Sequence, residues 1–156
     1  MLNLILTTFS IFFILNSIVV GYEVKIVAKV NNEIITNIDL ENRLKLALEL
    51  SNLPNESELR ERLKPRVLDS LIDEALKIQE ANRLGIFVTN KEVTDQINIL
   101  EERLKIEKNT LLKEYKIKEI PEITIINQIR SQLLWEKLLY GIIIKNVTVS
   151  EKKISE

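Results

Sequence analysis

The order of hydrophobic patterns along the chain constrains its fold more than any single residue does. An apolar leader, Met1 to Gly21, is followed by a short stretch alternating every second residue, Val24 to Thr36. Helical periodicity then runs almost to Glu156. Only three Gly and three Pro punctuate the 156 residues, so the helices are expected to be long. Two strands are marginal alone and must dock on helices. The expected fold is mainly α, a bundle of about five helices with a short N-terminal β-hairpin.

The leader carries no charge from Leu2 to Val20. Val19 and Gly21 suit a small-x-small cleavage site, and Glu23 and Lys25 begin the polar part. Residues 1–21 therefore read as a signal peptide. An uncleaved membrane anchor is the alternative, since the run is about long enough to span a bilayer and no Lys or Arg precedes it. An export signal with no Cys leaves no disulfide framework, so stability must come from packing.

In the hairpin, Ile26, Ala28 and Val30 are expected on one face, and Asn31-Asn32 tolerates the positive φ of a tight turn. Thr36 with Asp39 reads as a helix start, and Leu40, Leu44, Ala47 and Leu48 give that helix its apolar face to about Leu50. Leu53-Pro54-Asn55 breaks it. Ser57 is expected to cap a long second helix running to Leu84, with Gly85 as its stop. Leu63, Val67, Leu71, Ala75 and Ile78, widened by Leu68, Ile72 and Leu76, predict contact with more than one neighbour. Pro65 predicts a kink or a restart near Arg62 to Pro65.

Thr89 with Glu92 is a capping box before a seam of Val93, Ile97, Leu100 and Leu104. Asn109 is expected to cap a short helix, and Pro121 to open the last long one. In that helix Ile126, Ile129, Leu133 and Tyr140 share one side, Ile123, Leu134 and Leu138 another, and Trp135 and Leu139 a third. A helix this apolar lies at a bundle centre, or is buried on one side and meets a partner on the other. Ile142 to Val149 reads as an extended exit, and Ser150 as a helix start left incomplete.

The composition excludes several kinds of chemistry. Without His or Cys there is no Ser-His-Asp, Cys-His or His-metal arrangement. Gly21, Gly85 and Gly141 lie too far apart for a phosphate-binding loop, so no nucleotide, metal or other cofactor is expected. Lys plus Arg (22) nearly balances Asp plus Glu (23), which argues against nucleic acid as a partner. The carboxylate pairs Asp69 with Asp73 and Asp73 with Glu74 read as a solvated charged face.

The run from Lys25 to Thr36 with its following helix, Leu68 to Ala81, and Leu84 to Val93 leading on to the Trp135 helix resemble the N-terminal chaperone domain of the SurA family of periplasmic folding factors. The related helical domain of trigger factor shares this general fold. The resemblance covers residues 22–149 and implies an ATP-independent chaperone for unfolded polypeptides, outer-membrane protein precursors among them. It implies a periplasmic location, with attachment to the inner membrane if the leader is retained. Ile126, Ile129, Leu133 and Trp135 are the candidate peptide-binding residues, with core packing the plain alternative for each.

Members of this family normally continue into parvulin prolyl-isomerase domains, which would begin near residues 150–156. The chain is thus expected to hold no isomerase site and to be no enzyme. The family core is also completed by a C-terminal helix, so some apolar surface here is expected to stand open, or to be filled by a second copy or another protein. Two further readings follow: the non-catalytic part of a split or truncated prolyl isomerase, and an assembly module for a dedicated partner helix.

Overall fold

Local hydrogen bonds at Thr36 and Thr89 fix where two of the helices begin. At each, the Thr side chain accepts from the backbone three residues on, and the Asp39 or Glu92 carboxylate accepts from the Thr backbone in return. A computed structural model describes residues 23–154, with side-chain surroundings for residues 23–141. The expected leader, residues 1–21, lies outside the described residues. The elements are β1 (Ile26–Val30), β2 (Glu33–Thr36), α1 (Asn37–Leu50), α2 (Ser57–Arg83), α3 (Asn90–Leu104), α4 (Leu111–Ile117) and α5 (Glu122–Ile154). The mainly α fold with an N-terminal hairpin is as the sequence predicts.

The hairpin turns at Asn31, whose φ is 56°. Its register pairs Ile26 with Thr36 but Ala28 with Ile35, so Val27 is an extra residue in β1. This bulge corrects the expected alternation: the phase flips. Ile26 stands 65% exposed, while Val27 packs inward beside Val30 and Ile35. The hairpin docks on α2 through Leu68, Leu71, Ile72 and Ala75. Gln79 clamps the turn, donating to the Val30 carbonyl at 3.0 Å and accepting from Asn31 at 2.6 Å.

α1 is buried on two sides. Leu40, Leu44 and Leu48 meet Val67 of α2, whereas Leu46 points into a separate core with Val93, Ile120, Ile125 and Ile129. α2 runs unbroken through Pro65, so the expected restart does not occur. Leu59 and Leu63 before the proline and Val67 and Leu68 after it pack on the same cluster, which holds the flanking turns in line. Ser57 is not the cap; it is the first helical residue, and Glu56 precedes it without a side-chain cap bond. Gly85 ends α2 as expected, at φ 69°. Its N–H donates to the Asn82 carbonyl and that of Ile86 to the Ala81 carbonyl, a Schellman close.

Two corrections concern α3 and α4. Leu104 is exposed, and Glu101 is buried in its stead. Asn109 does not cap α4; it adopts a left-handed φ of 62°. The cap comes from Glu101, whose carboxylate accepts from the N–H groups of Asn109, Thr110 and Leu111 at 2.9, 3.0 and 3.0 Å. The last correction concerns α5, which continues as helix to Ile154 where an extended exit was expected. β-branched residues lower helix propensity only by tenths of a kcal/mol each, and extending a formed helix is far easier than nucleating one. Among the described residues, no helix is long and apolar enough to cross a membrane.

Two carboxylates tie this scaffold to pH. The Leu111 amide first, then those of Asn109 and Thr110, outweigh burial and hold Glu101 below the ordinary 4.5. The Lys137 ammonium, with the Thr89 backbone and hydroxyl, lowers Glu92 from 4.5 to about 2. Both bind protons more weakly folded than unfolded. The contribution of each is full above the unfolded value and is lost as pH falls below it, for Glu92 from about 4.5 towards about 2. With no His, thermal melts should be flat between about pH 5 and 8 and should fall below that range. Glu101→Gln should lower the neutral-pH midpoint by about 10 °C and flatten the acid decline. An unchanged midpoint would remove Glu101 as the organiser of α4.

Candidate functional site

One ion pair joins α1 to α2 away from solvent. Arg43 projects from the middle of α1 and Glu74 from the middle of α2, and both are withdrawn from solvent. The guanidinium is held by both carboxylate oxygens, with the second contact at 2.9 Å. This planar fork fixes the two helices against each other. Glu74 is thus not on a solvated face, which corrects the expectation for that carboxylate. Asp73 does face outward and pairs with Lys77 at 3.6 Å.

A cleft of about 400 Å³ opens on each side of this pair, and both are lined by Arg43 and Glu74. The first lies between the hairpin, α1, α2 and α5. Ile34, Ile35, Leu71, Ile78 and Ile123 give it apolar surface, while Glu33, Asp39, Asn127 and Arg130 give it polar surface. The second is walled by Ala47, Leu50 and Leu53 from α1 and its exit and by Leu63 and Val67 from α2, and Gln128 of α5 also lines it. At the other end of the bundle Lys137 of α5 donates to the Phe87 carbonyl at 2.7 Å and pairs with Glu92 at 2.6 Å. That contact fixes the α2–α3 connection against α5.

The structure separates the four sequence-predicted candidates. Ile129 is buried, and Ile126 and Leu133 are half-buried beside it, all three in the core shared by α1, α3 and α5. Trp135 lies elsewhere, 37% exposed, with the Lys77 ammonium 4.9 Å from its ring centre. Leu139 and Tyr140 are also exposed. Sequence reasoning missed Arg43, Glu74 and Gln128. The one available signal was a charged residue, Arg43, placed inside an apolar stripe between Leu40 and Leu44. Among the described residues no group of three or more His, Cys, Asp or Glu side chains is placed to hold a metal ion.

A hairpin-opened helical bundle with clefts of mixed polar and apolar lining around an ion pair defines the class; the family follows from comparison with known proteins. The family model described as the SurA-like N-terminal domain matches residues 1–120, and the chain belongs to that family. An uncharacterized protein of Rickettsia typhi is 32% identical over 154 residues, which cover 98% of this chain and 50% of that protein. One from Rickettsia conorii is 32% identical over 130 residues, 83% of this chain and 43% of the other. Chaperone SurA of Hydrogenovibrio crunogenus is 28% identical over 145 residues, 84% of this chain and 30% of the chaperone. The chain spans about half the length of the first of these relatives. No solved structure matches it. Membership of this family is consistent with a chaperone-like role.

Proposed function

We propose that this chain is an ATP-independent chaperone domain of the periplasm, holding unfolded or partly folded polypeptides, outer-membrane protein precursors among them. The observation that carries the reading is the pair of clefts flanking Arg43 and Glu74 in a chain of the SurA-like family. Partly apolar walls suit many client sequences, and mixed surface charge keeps the empty protein soluble. Nothing in this scheme consumes nucleotide.

The test is light scattering of an outer-membrane protein diluted from urea, without ATP. A several-fold excess of the chain should slow aggregation at least severalfold; no slowing at that excess would overturn the proposal. The same samples are expected to isomerise a prolyl peptide at the background rate. A second reading, an assembly module for a partner helix, is favoured by the exposed Trp135, Leu139 and Tyr140 of α5. A defined dimer or one-to-one complex by native mass would select it over promiscuous holding.

A further inference from the structure

The first cleft has an open strand edge as one of its walls. Three consecutive residues of β2, Glu33, Ile34 and Ile35, line it, and no residue of β1 does. Neighbours along a strand point to opposite faces of the sheet. A cavity that touches both faces of β2 and nothing of β1 therefore borders the free edge of β2. Asn31 and Asn32 form a two-residue turn, with Val30 facing Glu33 across it. That closing pair exchanges hydrogen bonds between the strands, the Lys29–Ile34 pair does not, and the Ala28–Ile35 pair does again. The N–H and C=O of Ile34 thus point away from β1, and Ile34 is 50% exposed. Further along, the Thr36 N–H is already taken by the Asp39 carboxylate at 2.8 Å. Between turn and cap, the edge offers one donor and one acceptor, both from Ile34.

These groups match the main chain of a third strand, which a two-stranded sheet lacks. In an antiparallel pairing, the residue opposite Ile34 exchanges both main-chain bonds with it. Its two neighbours lie opposite Ile35 and Glu33, on the face that the hairpin turns towards α2. Ile35 is buried, and Leu71, Ala75 and Ile78 line the cleft with it, so the residue opposite Ile35 is apolar. Glu33 is exposed and makes no ion pair among the described residues. A basic residue opposite it is therefore favoured.

We propose that the edge of β2 is a strand-addition site. An extended client segment runs antiparallel to β2, pairs with Ile34, and carries an apolar and then a basic residue two positions apart. Ile123 and Asn127 of α5 also line the cleft and bound the segment there. Main-chain pairing holds many sequences, and the two flanking contacts bias the choice among them. The proposal rests on the chaperone reading and names the part of a client that is held.

The probe is the peptide Thr-Ile-Val-Lys-Thr with an N-terminal fluorophore and a C-terminal amide. Its binding to the full chain is read by fluorescence anisotropy. Analogues replace each amide in turn with an ester, which removes one N–H. The ester that removes the N–H of the central Val should weaken binding about five- to tenfold, and its two neighbours should bind like the parent. Ile34→Pro removes the edge donor and spares the β1 ladder, because that N–H is not part of it. This variant should keep the far-UV circular dichroism and bind about tenfold more weakly. At low salt the Lys peptide should bind about threefold tighter than its Glu counterpart, and Glu33→Lys should reverse that order. An unchanged order would remove the basic-residue preference. If wild type slows aggregation yet every ester binds alike, or if Ile34→Pro binds like wild type, strand addition is overturned while the chaperone reading stands. If wild type slows no aggregation, the chaperone reading itself fails. A dimer that Ile34→Pro abolishes would assign the edge to a second copy and overturn the client assignment. Should Ile34→Pro unfold, the ester series on wild type alone decides.

Discussion

Glu74→Ala is expected to lower the unfolding free energy by about 3–5 kcal/mol, a large fraction of what a domain of this size has. The side chain of Arg43 is 8% exposed, and the carboxylate opposite it is the only ionic partner it has among the described residues. Removing that carboxylate strands a guanidinium among Leu71, Val67 and Ala75, where desolvation is not compensated. The intact pair need not be strongly stabilising in itself, because bringing two ions out of water offsets most of their attraction. The double substitution Arg43→Met with Glu74→Leu should therefore recover most of the lost stability. Urea unfolding of the two single variants and the double variant forms a complete cycle. A Glu74→Ala variant within about 1 kcal/mol of wild type would show that water reaches Arg43 freely.

Features set by neighbours in sequence were legible. The capping boxes at Thr36 and Thr89, the Asn31 turn and the Gly85 stop each need only residues within one turn of chain. Where the partner is distant in sequence, local reading fails. Asn109 looks like a cap, but the acceptor for α4 arrives from Glu101, across a loop that the left-handed Lys105 and Asn109 redirect. Ile26 looks inward until the Val27 bulge, a property of strand pairing, turns it out. The clefts were illegible for the same reason. Arg43 and Glu74 are 31 residues apart, and the walls come from three helices. The four α5 residues chosen for their apolarity were visible because composition alone marks them, but composition does not say whether a leucine is enclosed or exposed.

The second large effect lies in α1, where helical periodicity identified one apolar stripe and the structure has two. Leu44 is fully buried and Leu46 is 2% exposed, in clusters with no buried residue in common. Two positions along an α-helix are separated by roughly 200°, so these side chains face opposite ways. Leu44 seals α1 against Val67 of α2. Leu46 enters the core made by Val93 of α3, Ile120, and Ile125 and Ile129 of α5. Leu44→Ala and Leu46→Ala should each lower stability by about 3–4 kcal/mol, the transfer loss plus the cavity left behind. Because no buried neighbour is shared, the double variant should equal the sum to within about 0.5 kcal/mol, provided it still folds. The conservative pair Leu44→Val and Leu46→Val, at about 1 kcal/mol each, keeps the cycle measurable if the alanines do not fold. Coupling well above that limit would mean that α1 shifts as a rigid rod and that the two cores are one. Additivity would establish that the two faces of α1 pack independently, one on the hairpin and α2 and the other on α3 and α5, even though α2 and α5 also pack directly on each other.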